Sequence, residues 1–306
     1  MIDCFAAKKI GITSIGMDGE PFDNVTKLPK PRIKVYPGFL VATTIDCLLA
    51  SDSQYDMLYE SDISTPLGKV VVARINKTGH CLIAGPSSIC EMEKIIGKLK
   101  ENGAEKIFVD GAFSRQSTAK LSDATILCIG ANRSPIMEEV IKDALSIIER
   151  LSLPVADKHL LFLGNYSQIT TIDKSGKVTR QLETSVITDL DKVMAMLSND
   201  TEYMYLPNAV TMQFAKKLIK SKIALNTKII MKTPLNFITD DQMGKHIQLL
   251  KDRLYVLRPV NLIAVCFNPY SPRGYRFDNQ IFYEKLQENI DFPLINVLEK
   301  ESDDSE

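Results

Sequence analysis

The chain has 306 residues, 45% hydrophobic and 25% charged, with 37 Lys and Arg against 38 Asp and Glu and a formal net charge of −1. This is the balance of an ordinary water-soluble globular protein; it argues against disordered, collagen-like and membrane classes and gives no global attraction to nucleic acid or anionic lipid. The apolar runs HLLFLGNY and NLIAVCFN fall well short of the ~20 residues of a membrane span, and no N-terminal apolar segment is long enough for a secretory signal, so a cytoplasmic location is expected.

Taken in chain order, short runs rich in β-branched residues alternate with helical patterns, which predicts an α/β fold with a mostly parallel sheet. KIGITSIG reads as a strand, LPKPRIKVYPG as a proline-rich connection, TTIDCLLASD as a helix, and GKVVVARI and HCLIAG as strands. Ser88 and Glu91 form a capping box that opens a helix to about Asn102, with Gly103 at its C-terminal end. EKIFVDG and ATILCIGA follow as strands, and Ser134 with Pro135 predicts an N-cap and first helical position for a helix to about Leu151. LSLPVADK, with Pro154, reads as a linker between a domain over 1–153 and a second α/β domain over 158–298.

In the second domain the expected order is strand HLLFLGNYSQITTID, hairpin KSGK, a helix from Asp189, strand EYMYLP, helix AVTMQFAKKLIKSK and strand TKIIMK. A helix opened by Thr239 and Gln242, strand VNLIAVCFN, a helix from Asp278 and strand PLINVL complete it. The acidic residues 299–306 are expected to be disordered. The six cysteines, Cys4, Cys47, Cys81, Cys90, Cys128 and Cys266, form no C-x-x-C pair and read as packing thiols. The three histidines, His80, His159 and His246, share no ligand spacing, so no zinc site is expected.

Several stretches could carry chemistry. Gly11 and Gly16 have the glycine spacing of a phosphate-binding loop, but Met17 and Asp18 stand where a Walker A loop has Lys and Ser or Thr. Asp110 ends an apolar strand, where a carboxylate faces the ligand crevice of an open α/β sheet and can hold Mg²⁺; Asp18 and Glu20 leave an earlier strand at the same expected edge. Each could instead be a turn residue, the more ordinary reading of a strand ending in Asp-Gly at Asp110. Gly85, Ser87 and Ser88 stand before a helix N-terminus, a ready anion site, unless Ser88 only caps the helix. Asn132, Arg133 and Ser134 occupy another strand-to-helix junction. FNPYSPRGYRFD, with Asn268, Tyr270, Arg273 and Arg276, is a dense loop suited to a ligand or partner.

The segments IGITSIGMDGEPFDNVTKLPKPRI, STPLGKVVVARI, IAGPSS, IFVDGAFSRQS, ATILCIGA and NPYSPRGYRFD together resemble one subunit of the ATP-dependent reactivase of lysine 5,6-aminomutase. The resemblance implies a P-loop-NTPase-like domain that here lacks its first strand and phosphate loop, so IGITSIG becomes a second strand with an uncovered side. It puts Asp18 in the metal-facing loop after that strand, so that Asp18 and Asp110 are the expected metal edge; Gly85, Ser87, Ser88 and Asn132, read from their positions at helix starts, are the expected phosphate-binding residues. It also implies a MutS-like ATPase companion, a target enzyme that uses adenosylcobalamin, and Mg·ATP only where a phosphate loop is supplied upstream. Having no D-x-H-x-x-G motif, the chain is not expected to bind cobalamin itself. An ATPase-related fold without a Walker A pair leaves its enzymatic status open. An ATP-dependent small-molecule ligase or kinase of P-loop type, and a non-catalytic scaffold, stand as alternatives.

Overall fold

A computed structural model of the chain describes residues 9–16, 32–111, 121–223, 225–238, 247 and 249–298. The chain is an α/β protein that divides into two compact units, Met1–Leu121 and Ser122–Glu306. The expected boundary at 153 falls inside the second unit, because strand Thr125–Gly130 pairs with strand Leu262–Asn268, far along the chain.

The first unit holds β1 (Ile10–Ser14), β2 (Ile33–Val35), β3 (Leu40–Thr44), α1 (Ile45–Leu49), β4 (Tyr55–Thr65), β5 (Gly68–Ile75), β6 (Gly79–Cys81), α2 (Ile89–Glu101) and β7 (Lys106–Asp110). Its main sheet has the order β4-β5-β3-β1-β7, and β2 pairs separately with β6. β1 runs parallel to β3 on one side and to β7 on the other. The uncovered side expected for this strand is therefore absent: β1 is interior, and all five of its residues are buried.

Strand alternation sorts the two faces of this sheet. Ile10, Ile12, Val41 and Val71 pack with Leu48, Val35, Phe39 and Cys81 on one face. Leu40, Ala42, Val70 and Val72 meet Ile95 and Leu99 of α2 on the other. α2 begins where the capping box places it, with the Ser88 hydroxyl accepting from the Glu91 N–H, and Gly103 at its end takes the left-handed φ of 97°.

The second unit holds β8 (Thr125–Gly130), α3 (Met137–Leu151), a 3-10 helix over Lys158–Asn165, β9 (Ile169–Asp173), β10 (Val178–Leu182), α4 (Leu190–Ala195) and β11 (Thr201–Leu206). α5 (Met212–Lys220), β12 (Lys228–Met231), β13 (Leu254–Val256), β14 (Leu262–Asn268), α6 (Asn279–Gln287) and β15 (Leu294–Asn296) follow. A five-stranded sheet has the order β10-β9-β11-β12-β13, and a three-stranded one the order β15-β14-β8. Leu206, Ile229 and Met231 pack under Phe214 and Leu218 of α5, while Tyr205 and Ile230 meet Leu160 and Leu163 of the 3-10 helix on the other face. The three-stranded sheet buries Val265 and Phe267 against Val140 of α3 and Phe282 of α6.

Local readings change at a few points. HLLFLGN lies in a 3-10 helix, and only ITTID of that stretch is a strand. α3 is preceded by Ile136 at its N-cap; Ser134 instead accepts from the Ile136 N–H and donates to Glu139. Cys90 and Cys128 are exposed rather than packed inside. The helix expected from Thr239 and Gln242 opens at, and the acidic 299–306 tail spans, positions outside the described residues.

Candidate functional site

The parallel strands of the first sheet end in polar residues: Ser14 on β1, Thr44 on β3 and Asp110 on β7. Ser14 is the register partner of Asp110. From β1 the chain passes to β3 on one side, and later returns to place β7 on the other. β1 is therefore a switch point, the place where open α/β sheets bind ligands beyond their carboxyl ends.

Three loops close on this edge. The Ile15 N–H donates to the Asp110 carbonyl at 3.0 Å, and the Gly16 N–H donates to the Pro86 carbonyl at 2.7 Å. Thr43 holds the third loop from two sides: its hydroxyl donates to the Leu82 carbonyl at 3.0 Å and accepts from the Ala84 N–H at 2.9 Å. Gly85 then lies against β1 so closely that a Cβ would stand 1.9 Å from the Ser14 carbonyl oxygen. Only glycine fits that approach.

Two hydroxyls beneath this edge are buried without a hydrogen-bond partner, those of Thr13 and Thr44. Both residues are fully buried. Thr13 lies on the α2 face of the sheet: Gly11, which shares its face by alternation, would direct a Cβ at Ile107, Ala104 and Leu99. Thr44 precedes α1 as its N-cap residue, yet makes no side-chain capping bond. Leaving a buried hydroxyl unpaired costs about 1–3 kcal/mol, so this edge carries polar groups that its packing does not use.

Two strands of the three-stranded sheet of the second unit also end in polar residues, Asn268 of β14 and Asn296 of β15, with Asn268 in register with Gly130 of β8. The Asn268 carboxamide oxygen accepts from the Tyr270 N–H. The chain then forms a small hairpin in which Tyr270 bridges to Arg276, the Gly274 N–H donates to the Ser271 carbonyl, and Gly274 has φ 91°. The Tyr275 hydroxyl donates to the Ala131 carbonyl at 2.7 Å and ties this hairpin to the loop after β8. An open cavity of about 360 Å³ is lined by Tyr270, Arg276, Phe277, Asp278 and Asn279.

The phosphate-binding set expected from the sequence is divided. Gly85, Ser87 and Ser88 belong to the first unit, and Asn132, exposed beside the Asn268 loop, belongs to the second. Gly85 acts sterically, and the Ser88 side chain is engaged with Glu91, accepting from its N–H and donating to its carboxylate at 2.7 Å; Ser87 is exposed. Arg133 is ion-paired with Asp143 at 2.9 Å. Asp110 is exposed at the end of β7, while Asp18 and Glu20 lie outside the described residues. Among the described residues no three acidic, His or Cys side chains gather as metal ligands, and no helix is long and apolar enough to cross a membrane. Asn268, Tyr270, Arg273 and Arg276 lie in one loop system, as the sequence suggests. Thr13, Thr43 and Thr44 were missed, although IGITS and LVATT share a visible signal: an apolar strand ending in adjacent hydroxyl residues. Compared with protein-family models, curated proteins and solved structures, the chain matches none.

Proposed function

We propose that this chain is a subunit of an ATP-dependent reactivating chaperone for adenosylcobalamin-dependent lysine 5,6-aminomutase, working with a MutS-like ATPase companion to release damaged cobalamin. The observation that carries the reading is the convergence of three segments, IGITSIG, IAGPSS and IFVDG, which carry the resemblance and are distant in sequence. They meet through the Ile15–Asp110 and Gly16–Pro86 hydrogen bonds and the Gly85–Ser14 contact.

In this reading the first unit is P-loop-like and its functional core is the parallel set β3, β1 and β7. Asp110, with Asp18, would supply hard oxygen ligands for Mg²⁺. Met17 and Asp18 cannot replace the ammonium and hydroxyl that ordinarily hold the β- and γ-phosphates, so Mg·ATP would be held only where a phosphate loop is supplied to this edge. Nucleotide binding at this edge would bias the aminomutase toward an open state by binding that state more tightly.

The test is reactivation. Inactivated aminomutase is mixed with the companion, Mg·ATP and fresh adenosylcobalamin, with and without this chain. Recovery of turnover only when the chain is present is expected, with Asp110→Asn lowering it. Equal recovery without the chain, or none with it, overturns the proposal.

A further inference from the structure

The three-stranded sheet brings together two cysteines that the candidate sites do not use. Cys128 of β8 and Cys266 of β14 are direct register partners. Strand alternation directs Val265, Phe267, Leu127 and Ile129 to the core with α3 and α6, so both sulfurs share the opposite face. Partners in neighbouring strands lie about 4.8 Å apart, within the roughly 4.4–6.8 Å between Cα atoms that a disulfide spans. Cys128 is exposed and Cys266 is buried.

We propose that Cys128 and Cys266 form an oxidative modification site, in which a hydroperoxide oxidises the exposed Cys128 and the buried Cys266 resolves it as an intramolecular disulfide. In the first step the Cys128 sulfur attacks the peroxide O–O bond, becoming a sulfenic acid while the peroxide is reduced to water or an alcohol. In the second step the Cys266 sulfur attacks the Cys128 sulfur and expels the hydroxyl as water. The protein loses two protons and two electrons in all, and a dithiol reductant restores both thiols by exchange.

The division of roles follows from burial. Removal from water raises the pKa of the Cys266 thiol, and the neighbouring Cys128 side chain opposes that rise through a hydrogen bond. A buried thiol of this kind is a poor first target for peroxide, but it is well placed to trap an oxidised neighbour. Because the pair stands just before Gly130 and Asn268, the bond would fasten β8 to β14 directly beneath the Tyr270–Arg276 hairpin.

The full chain is exposed to graded hydrogen peroxide, quenched by alkylation and mapped without reduction. A peptide joining Cys128 to Cys266 is expected, disappearing on treatment with dithiothreitol; exposed Cys90 serves as the unpaired comparison within the same molecule. Cys128→Ser abolishes the link. Cys266→Ser leaves Cys128 as sulfenic acid and raises dimedone labelling there several-fold over the unsubstituted chain. Cys266→Ala provides the same readout if the serine variant fails to fold. Equal dimedone labelling of Cys128 with and without Cys266, or a link from Cys128 to a second chain instead, overturns the assignment.

Discussion

The two five-stranded sheets repeat one orientation pattern, two antiparallel pairings followed by two parallel ones, but their strands end differently. β1, β3 and β7 stop at Ser14, Thr44 and Asp110, whereas β11, β12 and β13 stop at the buried Leu206, Met231 and Val256. Past the C-terminal ends of β12 and β13 the chain turns charged, at the exposed Lys232 and Arg258. The winding differs too: β9, β11, β12 and β13 are laid down in order across the sheet, while the first sheet places β1 between strands that come later. An edge with no switch point closes over itself and can be finished with apolar side chains. An edge where the connections part leaves a crevice, and there the strands finish in hydroxyls and a carboxylate. Similar strand geometry thus ends in apolar packing in one unit and in polar groups in the other.

The sharpest way to break this comparison is to truncate a strand end on the packing side. Leu206→Ala removes a 1% exposed side chain from the main core of the second unit and should cost about 2–5 kcal/mol by urea denaturation; a loss below half a kilocalorie would mean that this edge is not a packing edge. Gly85→Ala comes next. Its Cβ has no room against the Ser14 carbonyl, and the forced shift should cost about 1–3 kcal/mol, read as a lower melting temperature. An unchanged melting temperature would deny the close approach.

Thr43→Val removes the clamp on Leu82 and Ala84 and should cost about 1–3 kcal/mol, because it leaves buried backbone groups unpaired. Thr13→Val and Thr44→Val, which delete hydroxyls that have no partner, should be neutral or stabilising in the same assay; a loss as large as that of Thr43→Val would show that these hydroxyls already serve the fold.

The smallest effect lies in the β9–β10 turn of the second sheet. The Ser175 hydroxyl, then the Lys177 N–H, hold the Asp173 carboxyl below its usual pKa, with burial opposing them. Since the folded pKa lies below the unfolded one, about 3.9, this contribution is present above that value and is lost as pH falls through the folded pKa. Asp173→Asn should lower the melting temperature slightly at neutral pH, the two curves converging in acid; parallel curves at every pH would exclude the carboxylate as the cause.

Much of the fold is legible where local signals agree. Ser88, Asp189, Thr211 and Asp278 each cap the helix that follows them, because an acceptor side chain before an apolar periodic run satisfies first-turn N–H groups. β4 was not legible: two register irregularities interrupt its alternation, and its acidic residues resemble a loop. Only the end of β3 falls in a predicted helix: Thr43 and Thr44 open the run TTIDCLLASD because LVATT passes directly into α1 without a turn. The domain boundary was hidden for a different reason, since pairing of β8 with β14 joins residues more than a hundred positions apart and no local pattern encodes it. At the candidate edge, Asp110 could be read from the end of an apolar strand. The steric role of Gly85 could not, because it depends on a backbone that the sequence places far away.

The clamp at Thr43 bears on how fast and how tightly anything could bind at the edge of β1. Ordering one residue of a free loop costs about 1–2 kcal/mol of backbone entropy, and a loop that must be gathered around its ligand loses that amount from the affinity residue by residue. Here the stretch from Leu82 to Ala84 is already fastened to β3, and the following Gly85 and Pro86 are seated against the end of β1. A molecule arriving at this edge meets a wall set during folding, so its binding enthalpy is spent on contact rather than on assembly.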